Sequence, residues 1–250
     1  MKLHSLIPKL NQKLSLCLLG LISLAVTLAG TVQAQKRRIP TGGRLAVVID
    51  DRLSALRAAP NLSAKLIERL RRGRFVAILA TRHSKGGVTF HRVKASRRRT
   101  GWLQSEAVIA AVPGSDDARL LRLIRSSDEF ETIARSRIFL DTFVASPLRP
   151  AVLLLYANAA ETVSEKLSRD ADRRLDREEM VAGGAPDFSY FMNYNGLDRY
   201  NRQGVRFTFD RAAKRFHYEG AAWREIVSRY PYSPEAADAR KRLEPAGTVP

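Results

Sequence analysis

At residues 113–115, Pro-Gly-Ser, the hydrophobic period of the chain changes, and no single fold class accommodates both sides of that change. Before it, apolar residues come in short runs at 45–49, at 75–79 and, more loosely, at Val88, Phe90 and Val93, with Gly73, Gly86-Gly87 and Gly101 between them. Runs this short, bounded by glycine, read as strands. After it, Leu120, Leu121, Leu123 and Ile124, then Phe130, Ile133, Ala134, Ile138 and Phe139, recur at the spacing of a helix face. The sequence therefore predicts two domains, all-β then all-α: a small barrel over residues 44–112 and a helical domain over 113–250.

The charge divides at the same place. Residues 35–112 hold 18 Lys and Arg against 4 Asp and Glu, whereas residues 113–250 hold 22 against 21. Of the net charge of +18, +14 thus belongs to the strand-rich half. Basic clusters at 36–38, 69–74 and 97–99 fall in or beside predicted turns, where long cations are normally just solvated. Three of them in one small module favour a basic face, which would attract an anionic polymer in a salt-dependent way.

Ahead of both modules, residues 1–34 carry Lys2, Lys9 and Lys13 with no acid, an apolar run from Leu14 to Gly30, and Val32 and Ala34 at the minus-three and minus-one positions of a cleavage site. This is the pattern of a secretory signal peptide cut after Ala34, followed by a basic linker over 35–43. The expected location is exported, periplasmic or extracellular. Kept uncut, the same run is a short membrane anchor, and only then is a membrane expected as a partner. Cys17, the one cysteine, lies behind a bulky leucine inside that run, which does not fit lipidation. The mature chain therefore has no thiol for a disulfide, a Cys-ligated zinc or a nucleophile.

Three segments of the first half share a pattern: Ala55-Leu56-Arg57-Ala58-Ala59-Pro60; Leu70-Arg71-Arg72-Gly73 leading into Phe75-Val76-Ala77-Ile78-Leu79; and Thr100-Gly101-Trp102-Leu103. Their order and spacing resemble the bacterial SH3-like domain family. Arg57, Pro60, Gly73, Gly101 and Trp102 match its pattern, while Ala55, Ala59 and Phe90 depart from it. The resemblance implies a small barrel with a ligand groove at Arg57, Phe90 and Trp102, beside the Arg97, Arg98 and Arg99 cluster. Members are commonly appended to exported proteins, and some look like binders of cell-wall peptides. Others accompany cysteine endopeptidases, a role closed to a mature chain without cysteine.

In the second half, Ser127-Asp128-Glu129 provides a capped helix start, and a long helix is expected from Pro150 to Leu175 with its proline in the first turn. Phe139-x3-Phe143-x2-Ser146-Pro147 and Ile226-x3-Tyr230-x2-Ser233-Pro234 repeat one design, each followed by an alanine-containing helix. The last helices are expected over 218–230 and 234–243. Residues 220–243 resemble a tetratricopeptide-type repeat of exported envelope proteins, which implies a concave surface for a protein partner.

Signals for chemistry are sparse. His83, His91 and His217 lack metal-ligand spacing. Asp170-x-Asp172-x3-Asp176 lacks the glycine and the twelfth-position acid of a calcium loop, having Leu175 and Val181 there. No cofactor or metal site is expected. An aromatic stretch with Tyr190, Tyr194 and Tyr200 beside Asn and Asp residues has the composition of a sugar site. The expected function is therefore binding or scaffolding by a non-enzymatic envelope protein, with a cell-wall peptide or anionic polymer on the barrel, a protein on the helices and no nucleic acid. The alternative is a cell-wall-modifying enzyme of the lytic transglycosylase kind, with Glu161, Glu165 or Glu225 as general acid, which would require an apolar cleft around that glutamate.

Overall fold

A computed structural model describes residues 42–111, 114, 116–175 and 177–244, all within one compact unit, Ile39–Pro250. The expected signal segment and most of the linker lie outside the described residues. The first half is an antiparallel sheet of seven strands: β1 (Arg44–Val48), β2 (Ala55–Arg57), β3 (Leu66–Arg69), β4 (Phe75–His83), β5 (Thr89–Ser96), β6 (Arg99–Gln104) and β7 (Val108–Ala110). Their order is β3-β2-β6-β5-β4-β1-β7. β3 and β7 form the two ends, so among the described residues backbone pairing does not close the sheet into a barrel.

The unbroken apolar run at β1 has a physical explanation. Ala46 and Val48 join the inner core of the sheet with Leu56, Leu70, Val76, Val93 and Leu103. Val47 and Ile49 join Ile109 in a second cluster with helix residues Leu120, Ile124, Ile138, Phe139 and Val152. A strand covered on both faces has no place for polar alternation. Gly87, at φ 78°, makes the β4–β5 turn, where the Ser84 N–H donates to Val88 O at 2.8 Å. Gly101 serves a different need: a Cβ there would lie 2.8 Å from Arg57 O and from Leu56 Cγ, so β2 can cross β6 only over a glycine.

The second half contains α1 (Asp116–Arg125), α2 (Glu129–Thr142), α3 (Arg149–Arg174), α4 (Arg177–Ala182), α5 (Asp187–Met192), α6 (Asp198–Asn201), α7 (Ala221–Arg229) and α8 (Glu235–Leu243). Pro150 sits in the first turn of α3 as expected. Asp128 precedes α2, but its side chain makes no capping bond. Instead the Thr132 hydroxyl bonds back to Ser127 O and Asp128 O. The two proline turns are built alike. Phe143 N–H donates to Phe139 O and Tyr230 N–H to Ile226 O, both at 2.8 Å. Ser146 and Ser233 then continue each turn by donating to Phe143 O and Tyr230 O.

The half is not all-helical. Between α6 and α7 runs an antiparallel hairpin, β8 (Phe207–Asp210) with β9 (Arg215–Tyr218), and it displaces the expected start of the following helix from residue 218 to Ala221. Its residues alternate aromatic and polar: Phe207, Phe209, Phe216 and Tyr218 turn toward a core built on α3, α7 and α8. Asp210 Oδ1 accepts the N–H groups of Ala212 and Ala213 and closes the turn, where Lys214 takes φ 51°. Two side chains of α3 hold β9: Ser168 Oγ accepts Phe216 N–H at 2.8 Å, and Glu161 Oε2 accepts Tyr218 N–H at 3.0 Å.

The two halves share a polar seam beside their common apolar cluster. Arg72 Nη2 lies 2.9 Å from Glu131 Oε1, and Arg135 Nη2 lies 3.4 Å from Asp50 Oδ2. Burial works against the Asp50 carboxylate, but the hydrogen bonds and charge of Arg52, with the charge of Arg135, outweigh it and hold its pKa below the usual value.

Candidate functional site

Register places a row of side chains across four strands. Arg57 pairs with Trp102, Trp102 with Arg92, and Arg92 with Ala80. Register partners share a face of the sheet, so Trp102 stands between two arginines. A third, Arg82, brings its guanidinium carbon to 5.8 Å from the centre of the Trp102 ring. Trp102 is half-buried and Arg82 and Arg92 are exposed. Arg57 also braces the β2–β3 loop, its Nη1 donating to Ala64 O at 2.8 Å.

Of the six residues expected at a groove, Arg57 and Trp102 come together as register partners. Phe90 is not available as a ligand contact: its register partners Arg82 and Gln104 place it on the same face, but its side chain is 0% exposed. Arg97 and Arg98 project into solvent at the β5–β6 turn. Arg99 is committed, its Nη1 lying 2.8 Å from Glu68 Oε2. Arg74 holds the other Glu68 oxygen at 2.8 Å, and the two cations overcome the effect of burial and lower that carboxyl's pKa. The 69–74 cluster therefore contributes less to a basic face than its composition implies, since Arg72 and Arg74 are both ion-paired. Arg82, Arg92, Arg97 and Arg98 form no ion pair among the described residues.

Arg82 and Arg92 were not among the expected residues. Counting outward from the Gly86-Gly87 and 97–98 turns would pair 82 with 91 and 92 with 103, whereas the observed partners are 82 with 90 and 92 with 102, because the first turn centres on Gly86 and a register shift lies between Lys94 and Ser96.

Two of the three tyrosines expected at a sugar site are core residues. Tyr194 is 8% and Tyr200 5% exposed, and the Tyr200 ring meets Phe130 and Phe207 edge-on at 5.7 and 6.4 Å. Tyr190 is half-buried. Tyr194 and Tyr200 thus belong to the core shared with the hairpin and offer no open face to a sugar.

The three glutamates of the enzyme reading differ in setting. Glu225 is gripped by Arg149 at 3.0 Å, with Arg229 at 3.6 Å. Glu161 and Glu165 line a cleft of about 590 Å³ between α3 and the β8–β9 hairpin. Arg169, Lys214, Arg215 and His217 share that lining, and His217 Nδ1 stands 3.5 Å from Glu161 Oε1. Such surroundings are the reverse of the apolar cleft that a general acid needs. Asp170 and Asp172 lie on the continuous helix α3, where Asp170 pairs with Arg173. Among the described residues no group of three metal-ligating side chains is placed to hold an ion, and no helix is long and apolar enough to cross a membrane. No family model, curated protein or solved structure matches the chain.

Proposed function

We propose that the chain is an exported bacterial envelope protein that binds rather than catalyses, its sheet forming a divergent SH3-like module for a cell-wall peptide or anionic polymer. One observation carries this reading: the Arg57–Trp102–Arg92 row, with Arg82 against the indole, on the same β5–β6 ribbon whose turn carries Arg97 and Arg98, arginines that form no ion pair among the described residues. Solvated arginines without acid partners lose little on taking up an anion, and the indole offers an apolar surface to the ligand's non-charged parts. The helical half, with its two alike proline turns, is the tetratricopeptide-like part of the proposal and docks a protein partner.

The test is retention of residues 35–250 on purified peptidoglycan sacculi. Retention at low salt that falls as salt rises is the predicted result. Equal recovery in the unbound fraction with and without sacculi contradicts it.

A further inference from the structure

Among the described residues, three of the eight exposed large apolar side chains fall in one short stretch, while Leu79, Val144, Val181, Met192 and Tyr232 are separated along the chain. Leu62, Leu66 and Ile67 are 52%, 44% and 41% exposed and lie within six residues, in the β2–β3 loop and on β3. β3 is an end strand of the sheet. A bulge interrupts it: Leu56 pairs with Glu68 and Arg57 with Leu66, so Ile67 is the extra residue. The broken ladder makes this edge a poor template for adding a partner strand, and what it presents instead is apolar side chains.

Cations flank this stretch along the chain, Lys65 within it, Arg69 at the end of β3 and Arg71 two residues beyond. Lys65, Arg69 and Arg71 are exposed and form no ion pair among the described residues. The one acid on the strand, Glu68, is already matched by Arg74 and Arg99. An exposed apolar stretch with exposed, unpaired cations adjoining it in the chain is complementary to a surface that offers negative charge first and hydrocarbon beneath it.

We infer that the β2–β3 tip docks the protein peripherally on an anionic lipid bilayer, with Leu62, Leu66 and Ile67 entering the headgroup boundary and Lys65, Arg69 and Arg71 meeting lipid phosphates. This docking uses residues other than Trp102, Arg92, Arg97 and Arg98, and stands or falls separately from the wall-binding proposal.

The experiment is co-sedimentation of residues 35–250 with phosphatidylglycerol–phosphatidylcholine vesicles and with pure phosphatidylcholine vesicles. The wild-type protein sediments with the anionic vesicles only. The Leu62→Ser, Leu66→Ser, Ile67→Ser triple variant loses roughly tenfold in partitioning, in line with the apolar area removed, while its sacculus retention stays at the wild-type level. If the triple variant melts early, Leu62→Ser alone, a loop substitution, gives a smaller loss in the same direction. Wild-type protein that ignores anionic vesicles overturns the proposal. So does a folded triple variant that binds them as tightly as wild type.

Discussion

Two groups of arginines in this molecule stand in opposite circumstances. At the seam between sheet and helices, Arg72 and Arg135 have side chains only 14% and 12% exposed, and Asp50, Asp51 and Glu131 surround them. On β4, β5 and the β5–β6 turn, Arg82, Arg92, Arg97 and Arg98 are exposed and form no ion pair among the described residues. A cation withdrawn from water must find a counter-charge, whereas a cation left in water need not. The seam arginines are therefore part of the fold, and the outer ones are free for a ligand. Net charge counts both groups alike and so overstates the basic surface.

The comparison can be broken most forcefully at the apolar cluster beneath the seam. Phe139, 0% exposed, joins sheet and helices, and Phe139→Ala should lower stability by about 3–5 kcal/mol. Urea unfolding should show one transition for strand and helix signals together, because the two halves share that core. Two well-separated transitions would show that the halves are independent. Gly101→Ala should cost about 1–3 kcal/mol, since its new methyl group meets backbone and cannot be accommodated by a rotamer change. A thermal melt unchanged from wild type would mean that the β2–β6 crossing is slack.

Substitutions at charged positions sharpen the contrast between the two arginine groups. Glu131→Gln leaves Arg72 and Arg135 short of a carboxylate and should destabilise by about 1–2 kcal/mol, while Arg98→Gln should change stability by less than about 0.5 kcal/mol. Equal effects in denaturant melts would erase the distinction. The pH dependence follows from Asp50, whose folded-state pKa is depressed by Arg52 and Arg135. Its contribution is fully present above the unfolded value of about 3.9 and is lost as pH falls through the lower folded value. Melting temperatures measured from pH 5 to pH 2 should accordingly fall less steeply for Asp50→Asn than for wild type.

Much of this architecture could be read from period and punctuation. The run at 45–49, the Gly86-Gly87 turn, Pro150 in the first turn of α3 and the paired proline turns all appear where local chemistry put them. The β8–β9 hairpin was equally legible as an aromatic-polar alternation, Phe207-Thr208-Phe209-Asp210 against Arg215-Phe216-His217-Tyr218. Helical patterns flank it on both sides, and the helix expected over 218–230 begins inside it. The candidate site was only half legible. Trp102 and Arg57 carry a recognisable pattern, but the fate of each arginine depends on which acid the fold brings near it. Arg72 meets Glu131 across 59 residues, and Arg135 meets Asp50 across 85. Phe90 and Tyr200 show the same limit in apolar form, since aromatic residues suit a groove and a core equally and only tertiary cover separates the two.

The most direct measurement is sacculus retention of residues 35–250 carrying Arg92→Glu, Arg97→Glu and Arg98→Glu, set against a variant with Arg69→Glu and Arg71→Glu. Loss of retention in the first with little change in the second, both melting at the wild-type temperature, is the predicted result. Retention that falls equally in both would contradict the account, because net charge rather than the arginines of β5 and its turn would then govern binding.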